Sequence, residues 1–597
     1  MTARNGTWLG LVAAAALAAA GCSGFGTDCS TDSDCTAKNP AAFCDPTLQV
    51  CFIRPGPVVT NIQPADQATG VTAVGATVTA TFSEAINDAG VKDTSFIVDG
   101  QGFETFGDFT ASANAKQETF VPFAAGLAVG TEYTVKLTAD IKDMQGRALI
   151  PFQSTFKTAD GAWQSDTPYT GTQDVGLFSV AANYYGEIVS AADLEIGTSS
   201  NFELWAGVSS GVLANGNYPD FGTTPVYSVS TDDAFSPHVS LSTSGRAFVA
   251  FSVSSAGNVY AKASTYDPGT TSWAPYVDLP VPVSSTTFYA TVVALPAGNA
   301  VAAWTESVGG KYKVKGRSYG AAVGWAPSTF FIQSDANADC QELKLAADLG
   351  FDVLAAWTQY GGAHSQIEVS YYPGTGSFSS PIPISDVTLD SDSPDIALGY
   401  YGPSGYAKGA AVWRANSGGN YHIFGSQFDP GASPAFGPIK QLDSAPTSAF
   451  SPHVGAAANG DAVAIWIESA GSGGSVVTSR FEKSNESWRS PETLVTDTAN
   501  LPSGAVLTVD PGGNVLAVWL QMSGTAVQAY GRRFTVTGGW TPPLGTPPTR
   551  LTTGTDSASG FDPGVAVDAL GLGSVFVSRT DTSVTPNIRY LDYIPFY

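Results

Sequence analysis

Short apolar runs alternate along the chain with turns rich in Gly, Asn, Asp and Ser, and the runs recur on a fixed period. Five of them end in tryptophan: AVAAW to Trp304, VLAAW to Trp357, GAAVW to Trp413, AVAIW to Trp466 and VLAVW to Trp519. The steps from 304 to 357, 413 to 466 and 466 to 519 are each 53 residues, and Phe251 stands 53 before Trp304. Such a period predicts stacked or radial repeats. Each copy opens with an apolar run such as HVSLS (238–242) or VLTVD (506–510), turns, and enters the tryptophan run. A third run ends in an aromatic (Tyr266, Tyr319, Tyr372, Phe428, Phe481, Phe534), and a fourth opens with one (Trp273, Trp325, Phe378, Phe436, Trp488, Trp540). Four short strands in about fifty residues predict a β-propeller blade.

The ends of the array carry further information. The last copy runs through 574–578 and 587–593 and stops before a fourth strand. The missing piece stands at the other end, as GAWQSDTPY (161–169). The expected propeller over 160–597 is therefore closed by pairing of its N- and C-terminal segments, which leaves no open edge. Fourth strands at 163, 221, 273, 325, 378, 436, 488 and 540 count eight blades; seven is the alternative if the weak copy between 175 and 221 is a decoration.

Residues 57–158 hold six apolar or alternating runs between turn signals: 58–64, 76–83, 94–100, 118–124, 133–139 and 152–159. That pattern predicts a β-sandwich, so the fold class is all-β throughout. The phrases PADQATGV, ATFSEAIND and GTEYTVKLTADIKDMQGRAL closely resemble the bacterial Ig-like domain of S-layer and surface proteins. The resemblance implies a spacer and brings no catalytic residue. Phrases such as DPGTTSW (267–273) resemble sialidase-type Asp-box repeats, although most copies lack the Asp. That places the propeller near a broad sialidase-like superfamily and in no enzyme within it.

At 597 residues the chain is too long for a single core. Its 27 Lys and Arg stand against 52 Asp and Glu, a formal net charge of −25. Without basic clusters, that balance argues against nucleic-acid partners. Helical periodicity is absent beyond the first twenty residues. Those residues carry Arg4, an apolar run from Leu9 to Ala20 and then Gly21-Cys22. The run is too short to span as a mature helix. The stretch resembles a bacterial lipoprotein signal over 1–22, which implies lipidation at Cys22 and a membrane partner through that anchor. Ser23 after the cysteine implies the outer membrane, on the cell surface or facing the periplasm. An ordinary secretory peptide is the competing reading. Cys29, Cys35, Cys44 and Cys51 follow within a module spanning 23–56. In an exported chain they predict two disulfides in one of three connectivities. Zinc competes, but no pair has CxxC spacing and no His lies near. DCSTDSDC resembles the small Cys-rich modules of myxobacterial surface lipoproteins. Asp28, Asp32 and Asp34 could touch Ca²⁺, the one cofactor considered; solvated turn residues explain them as well.

Candidate chemistry is sparse. Arg317, Arg480, Arg532 and Arg533 fall in third strands, away from a channel. Arg414 and Arg579 follow the second-strand run in places read as repeat-equivalent, where two arginines could converge. Gly316-Arg317-Ser318-Tyr319-Gly320 matches GxSxG but lacks the strand-to-helix context of a nucleophile elbow. His238 and His453 sit in repeated Ser-Pro-His motifs, and Asp395 in a Ser-Pro-Asp version. These open innermost strands, where they would ring a channel mouth. Two His and an Asp could hold a metal, but hydrogen bonding across the mouth is the reading adopted, with no metal assigned. Asp390, Asp392 and Tyr421 lie in variable connectors that would build a recognition face. Cys340 reads as a buried thiol. The expected function is a non-catalytic surface lipoprotein whose propeller binds an extracellular protein or glycan. A sialidase-like or other propeller glycoside hydrolase or lyase is the alternative. A membrane pore is excluded by the short hairpin strands.

Overall fold

The structure, a computed structural model, describes residues 29–36, 42–45, 47, 49–53, 56–168, 174–195, 201–209, 221, 224–280, 286–399, 408–433, 435–444, 446–558, 560–582 and 587–597. Cys22 and Asp28 lie outside them. No described helix is long and apolar enough to cross a membrane. In the small N-terminal module, Cys29 bonds Cys44 and Cys35 bonds Cys51, which settles the connectivity. Asp34 closes its turn by accepting the Ser30 and Thr31 N–H groups at 2.8 and 2.9 Å.

The next unit is a sandwich of two sheets. One orders Val59–Gln63, Val78–Phe82, Gln117–Pro122 and Gly107–Ala111. The other orders Ala68–Val71, Phe152–Thr158, Glu132–Leu137, Phe96–Gly100 and Phe103–Glu104. All six expected runs are strands. Alternate residues such as Val78, Ala80 and Phe82 turn inward to a core with Phe96, Phe120, Val135 and Phe156, as a two-layer packing requires. The chain enters at the end where Pro57 O accepts the Ile150 N–H. Glu132–Leu137 starts, and Phe152–Thr158 finishes, at the opposite end.

Eight antiparallel sheets of the kind that form propeller blades follow among the described residues. Their first strands are Asp174–Ala182, Asp233–Leu241, Thr287–Leu295, Asp339–Ala347, Ser391–Leu398, Ala449–Ala456, Ser503–Val509 and Gly564–Val567. The second strands carry the tryptophan runs. They are buried on both faces because each sheet is covered by the next, so they read as continuous apolar segments with little alternation. Alanine there lets neighbouring sheets approach, and Trp304, Trp357, Trp413, Trp466 and Trp519 are fully buried. Each third-strand aromatic meets its fourth-strand partner, from Tyr266–Trp273 to Phe534–Trp540, with ring centroids 5.0–5.6 Å apart in all six pairs. The eighth sheet takes its outer strand from the N-terminal side: Thr167 pairs with Tyr593, Pro168 with Asp592, and Trp163 bridges Phe596. Two outer strands differ from expectation. In the fourth sheet the pairing falls on Ile382–Pro383, because Phe378 packs against Phe330 and Tyr372 instead of entering the ladder. In the first sheet the outer bridge is Leu204–Tyr227, and Phe221 is buried beside Leu591.

The eight first strands touch one another in chain order, and the eighth touches the first. They enclose a central channel with two distinct ends. At one end lie the turns between first and second strands, and there the Ig-like unit docks. The Val129 N–H donates to Leu570 O at 2.8 Å, Asn514 Nδ2 donates to Thr131 Oγ1 at 3.1 Å, and Arg533 pairs with Asp160 at 3.4 Å. Ala73, Ala124 and Val129 pack with Leu516, Ala569 and Leu570 in one shared apolar cluster. At the other end, where the first strands begin, no unit docks among the described residues.

Candidate functional site at the channel mouth

Among the described residues seven first strands break their ladder at the same place. Register shifts occur before Phe178, His238, Thr291, Lys344, Asp395, His453 and Val506. Six of the seven breaks hold one residue in the left-handed region: Ser236 (φ 52°), Tyr289 (53°), Glu342 (54°), Ser393 (53°), Ser451 (49°) and Gly504 (57°). Only the last is glycine, the residue that adopts this conformation freely. The others hold a conformation costing of order 1–3 kcal/mol each. A bulge re-aims side chains, and these bulges turn Tyr289, Glu342 and their neighbours toward the open mouth. Together with His238, Thr291, Lys344, Asp395, His453 and Asp562 they line a cavity of about 560 Å³.

The polar groups there fall into two sets. One set fastens neighbouring sheets. The Val292 N–H donates to His238 Nδ1 at 3.4 Å, and the Val454 N–H donates to Asp395 Oδ2 at 3.0 Å. Ser179 and Ser240 do the same for Val239 and Ala294. Inner-edge N–H groups, which face the channel and lack a ladder partner, are thereby satisfied. Burial and then the Lys344 charge push His238 down to about 4, against the Val292 bond, so its ring is neutral at ordinary pH. Burial opposes ionisation of Asp395, yet the hydrogen bond and charge of His453, with Lys344 and the Val454 N–H, hold its carboxyl below the usual range. His453 Nδ1 lies 3.4 Å from Asp395 Oδ2. His238 lines the same cavity as that pair. Among the described residues the one group with metal-ligand spacing is Cys29, Cys35 and Cys44, whose sulfurs are in disulfides.

The second set is poised toward the cavity. Tyr289 is 44% exposed despite its left-handed backbone. Burial of its phenol and the Glu342 carboxylate beside it raise its pKa. Glu342 Oε2 accepts from Thr358 Oγ1 at 2.7 Å and from the Ser393 N–H at 2.8 Å. Lys344 makes no ion pair or hydrogen bond within the described residues. Thr291 is 4% exposed and its hydroxyl has no partner there.

The connector residues stand just outside this cavity. Asp392 takes both ends of the Arg414 guanidinium, at 2.7 and 2.8 Å, and Arg414 lies over the Tyr421 ring at 4.2 Å. Asp390 is apart from them, accepting the Ser365 N–H at 3.1 Å and facing His364 Nδ1 at 3.2 Å. Arg414 and Arg579 do not converge. Arg414 follows the first pair after its bulge (Asp395 with Val412) by two residues, whereas Arg579 follows its counterpart (Gly564 with Phe576) by three. The one-residue offset turns Arg579 to the other face, where it is buried against Asp592 at 2.7 Å. Arg317 and Arg532 clamp backbone: Arg317 donates to Ala326 O and Asp278 O, and Arg532 to Leu494 O, Pro542 O and Thr546 O. Cys340 is a buried thiol that burial pushes up to about 12.

Sequence reasoning passed over Tyr289, Thr291, Glu342 and Lys344. The available signal was the period itself: 53 residues on from Ser236 is Tyr289, and 53 further is Glu342.

Residues 54–158 match the family described as bacterial Ig-like domain (Big_5). No curated protein matches the chain by sequence. Among solved structures it is similar to a protein of unknown function from Dyadobacter fermentans DSM 18053, at 14% identity over 73% of this chain and 98% of that one, with a TM-score of 0.33. It is also similar to the NanB sialidase from Streptococcus pneumoniae, at 9% identity over 87% and 83%, TM-score 0.30. A polysaccharide lyase, the PL25 ulvan lyase, aligns at 8% identity over 61% and 95%, TM-score 0.37.

Proposed function

We propose that the eight sheets are the blades of one closed β-propeller, and that the chain is a lipid-anchored surface protein of the bacterial outer membrane whose open channel mouth captures an extracellular protein or glycan without chemically changing it. The observation that carries the reading is the ring of bulges. Five non-glycine residues hold a strained left-handed backbone at one register, all at the open end. Gly504 shows that the same bulge forms without that strain. Strain that persists where glycine would relieve it points to the side chains it displays. The bacterial Ig-like domain supports an envelope location and a spacer role.

Tyr289→Gly tests the reading directly. It removes the displayed ring and relaxes the backbone, so capture on a glycan and protein array is expected to fall at least tenfold while Tm does not drop. Capture that survives the substitution would place the ligand elsewhere. The anchor is tested by metabolic lipid labelling: Cys22→Ala is expected to abolish the label, and an unchanged label excludes lipidation at that residue.

A further inference from the structure

We infer that the channel mouth, taken as the binding site proposed above, receives the terminal pyranose ring of an uncharged glycan. Three features of the wall carry this. First, the channel is covered at its other end. Behind the mouth lies a second cavity lined by Ala294, Ala347, Ala397, Gly455 and their neighbours, and the Ig-like unit sits on the turns at that far end. A polymer therefore enters by its end and does not thread through.

Second, the wall interleaves donors, acceptors and one aromatic face. Tyr289 presents a half-exposed ring. His238 accepts the Val292 N–H through Nδ1, so in the neutral ring the single proton sits on Nε2 and makes it a fixed donor. Lys344 donates, and Glu342 and Asp395 accept. A sugar ring matches this array, because every hydroxyl both donates and accepts while its C–H faces suit an aromatic ring. A strongly charged ligand does not. Glu342, Asp395 and Asp562 oppose an anion, and Lys344 opposes a cation. The cavity volume lies within the range of about 300–1,000 Å³ typical of small-molecule sites.

Third, the Thr291 hydroxyl is buried, lines this cavity and has no partner among the described residues. Buried polar groups are ordinarily bonded. A hydroxyl of the bound ring would complete it.

The test uses the full chain and ligand-observed saturation-transfer NMR with methyl β-D-glucopyranoside, β-D-galactopyranoside, α-D-mannopyranoside, N-acetyl-β-D-glucosaminide and β-D-glucuronide. Saturable binding of at least one uncharged glycoside is expected, weakened at least tenfold by Tyr289→Ala and severalfold by the near-isosteric Thr291→Val. Phe331→Ala removes a half-exposed aromatic ring outside the mouth and is expected to leave binding unchanged. No saturable binding, a preference for the glucuronide, or binding indifferent to Tyr289 overturns the inference. If the array captures a protein through Tyr289 while no glycoside binds, the inference fails and the proposed function stands. If the array captures nothing, both fall.

Discussion

Trp304 and Trp357 occupy the same place in neighbouring sheets with different polar surroundings. Trp304 Nε1 donates to Glu306 at 3.0 Å, and Trp466 does likewise to Glu468, two residues along the same strand. Trp357 has Gln359 at that position, but Gln359 is engaged by Gln333 and Glu368, so the Trp357 indole N–H is buried without a partner among the described residues. Phenylalanine at either site loses similar packing. At 304 it also removes the indole bond to Glu306 Oε2, although Lys315 still holds the other carboxylate oxygen at 2.8 Å, at a further cost of about 1 kcal/mol. Chemical denaturation of the two variants is therefore expected to rank Trp304→Phe as the less stable. The tryptophans were legible because their role demands one residue type. The mouth was legible only in part: the repeated Ser-Pro motif marked Ser236, Ser393 and Ser451, whereas Tyr289, Glu342 and Gly504 share their φ and not their chemistry. Asp392 read as a free connector carboxylate because its partner, Arg414, arrives only across the ladder.

The closing strand was readable as an element because its aromatic resembles those that open the other outer strands. Trp163 meets Phe596 at 5.0 Å as Trp488 meets Phe481 at 5.6 Å. Asp166 adds polar anchors, accepting the Thr553 N–H and hydroxyl at 2.7 Å each and facing Arg579 at 3.4 Å. Deleting 160–168 exposes the Ile588–Phe596 edge and uncovers Arg579. Differential scanning calorimetry is expected to show a lower Tm and a split or broadened transition, with aggregation through the open edge. An unchanged single transition would mean that closure adds nothing to stability. The first-sheet outer strand was less legible because its aromatic, Phe221, packs against Leu591 without joining the ladder.

The molecule as a whole carries an excess of acid, and several of its carboxyls are buried. Burial raises Asp193 and Asp568 to about 7 and Asp348 to about 6, and each has one oxygen without a hydrogen-bond partner among the described residues. A raised carboxyl pKa means that the folded state holds the proton more tightly than the unfolded chain. Its stabilisation is present below the unfolded value near 4 and is lost as pH rises through 6 to 7. His238, pushed down to about 4, works the other way, and its contribution is lost as pH falls below its ordinary 6.5. Three carboxyls outweigh one histidine, and relief of the net charge acts in the same direction. Tm is expected to be higher at pH 5.5 than at pH 8, with Asp568→Asn flattening the profile. Asn183 already performs that turn role as an amide, accepting the Tyr185 and Glu187 N–H groups at 3.0 and 3.1 Å. The docked Ig-like unit has a further consequence. It seats on the turn end of the ring and receives the chain at its own far end, so the proposed tether at Cys22 would hold the mouth pointing away from its bilayer. A molecule mounted that way would meet ligands in trans, on an opposing cell or in a surrounding matrix, and would be turned from the headgroups of its own membrane.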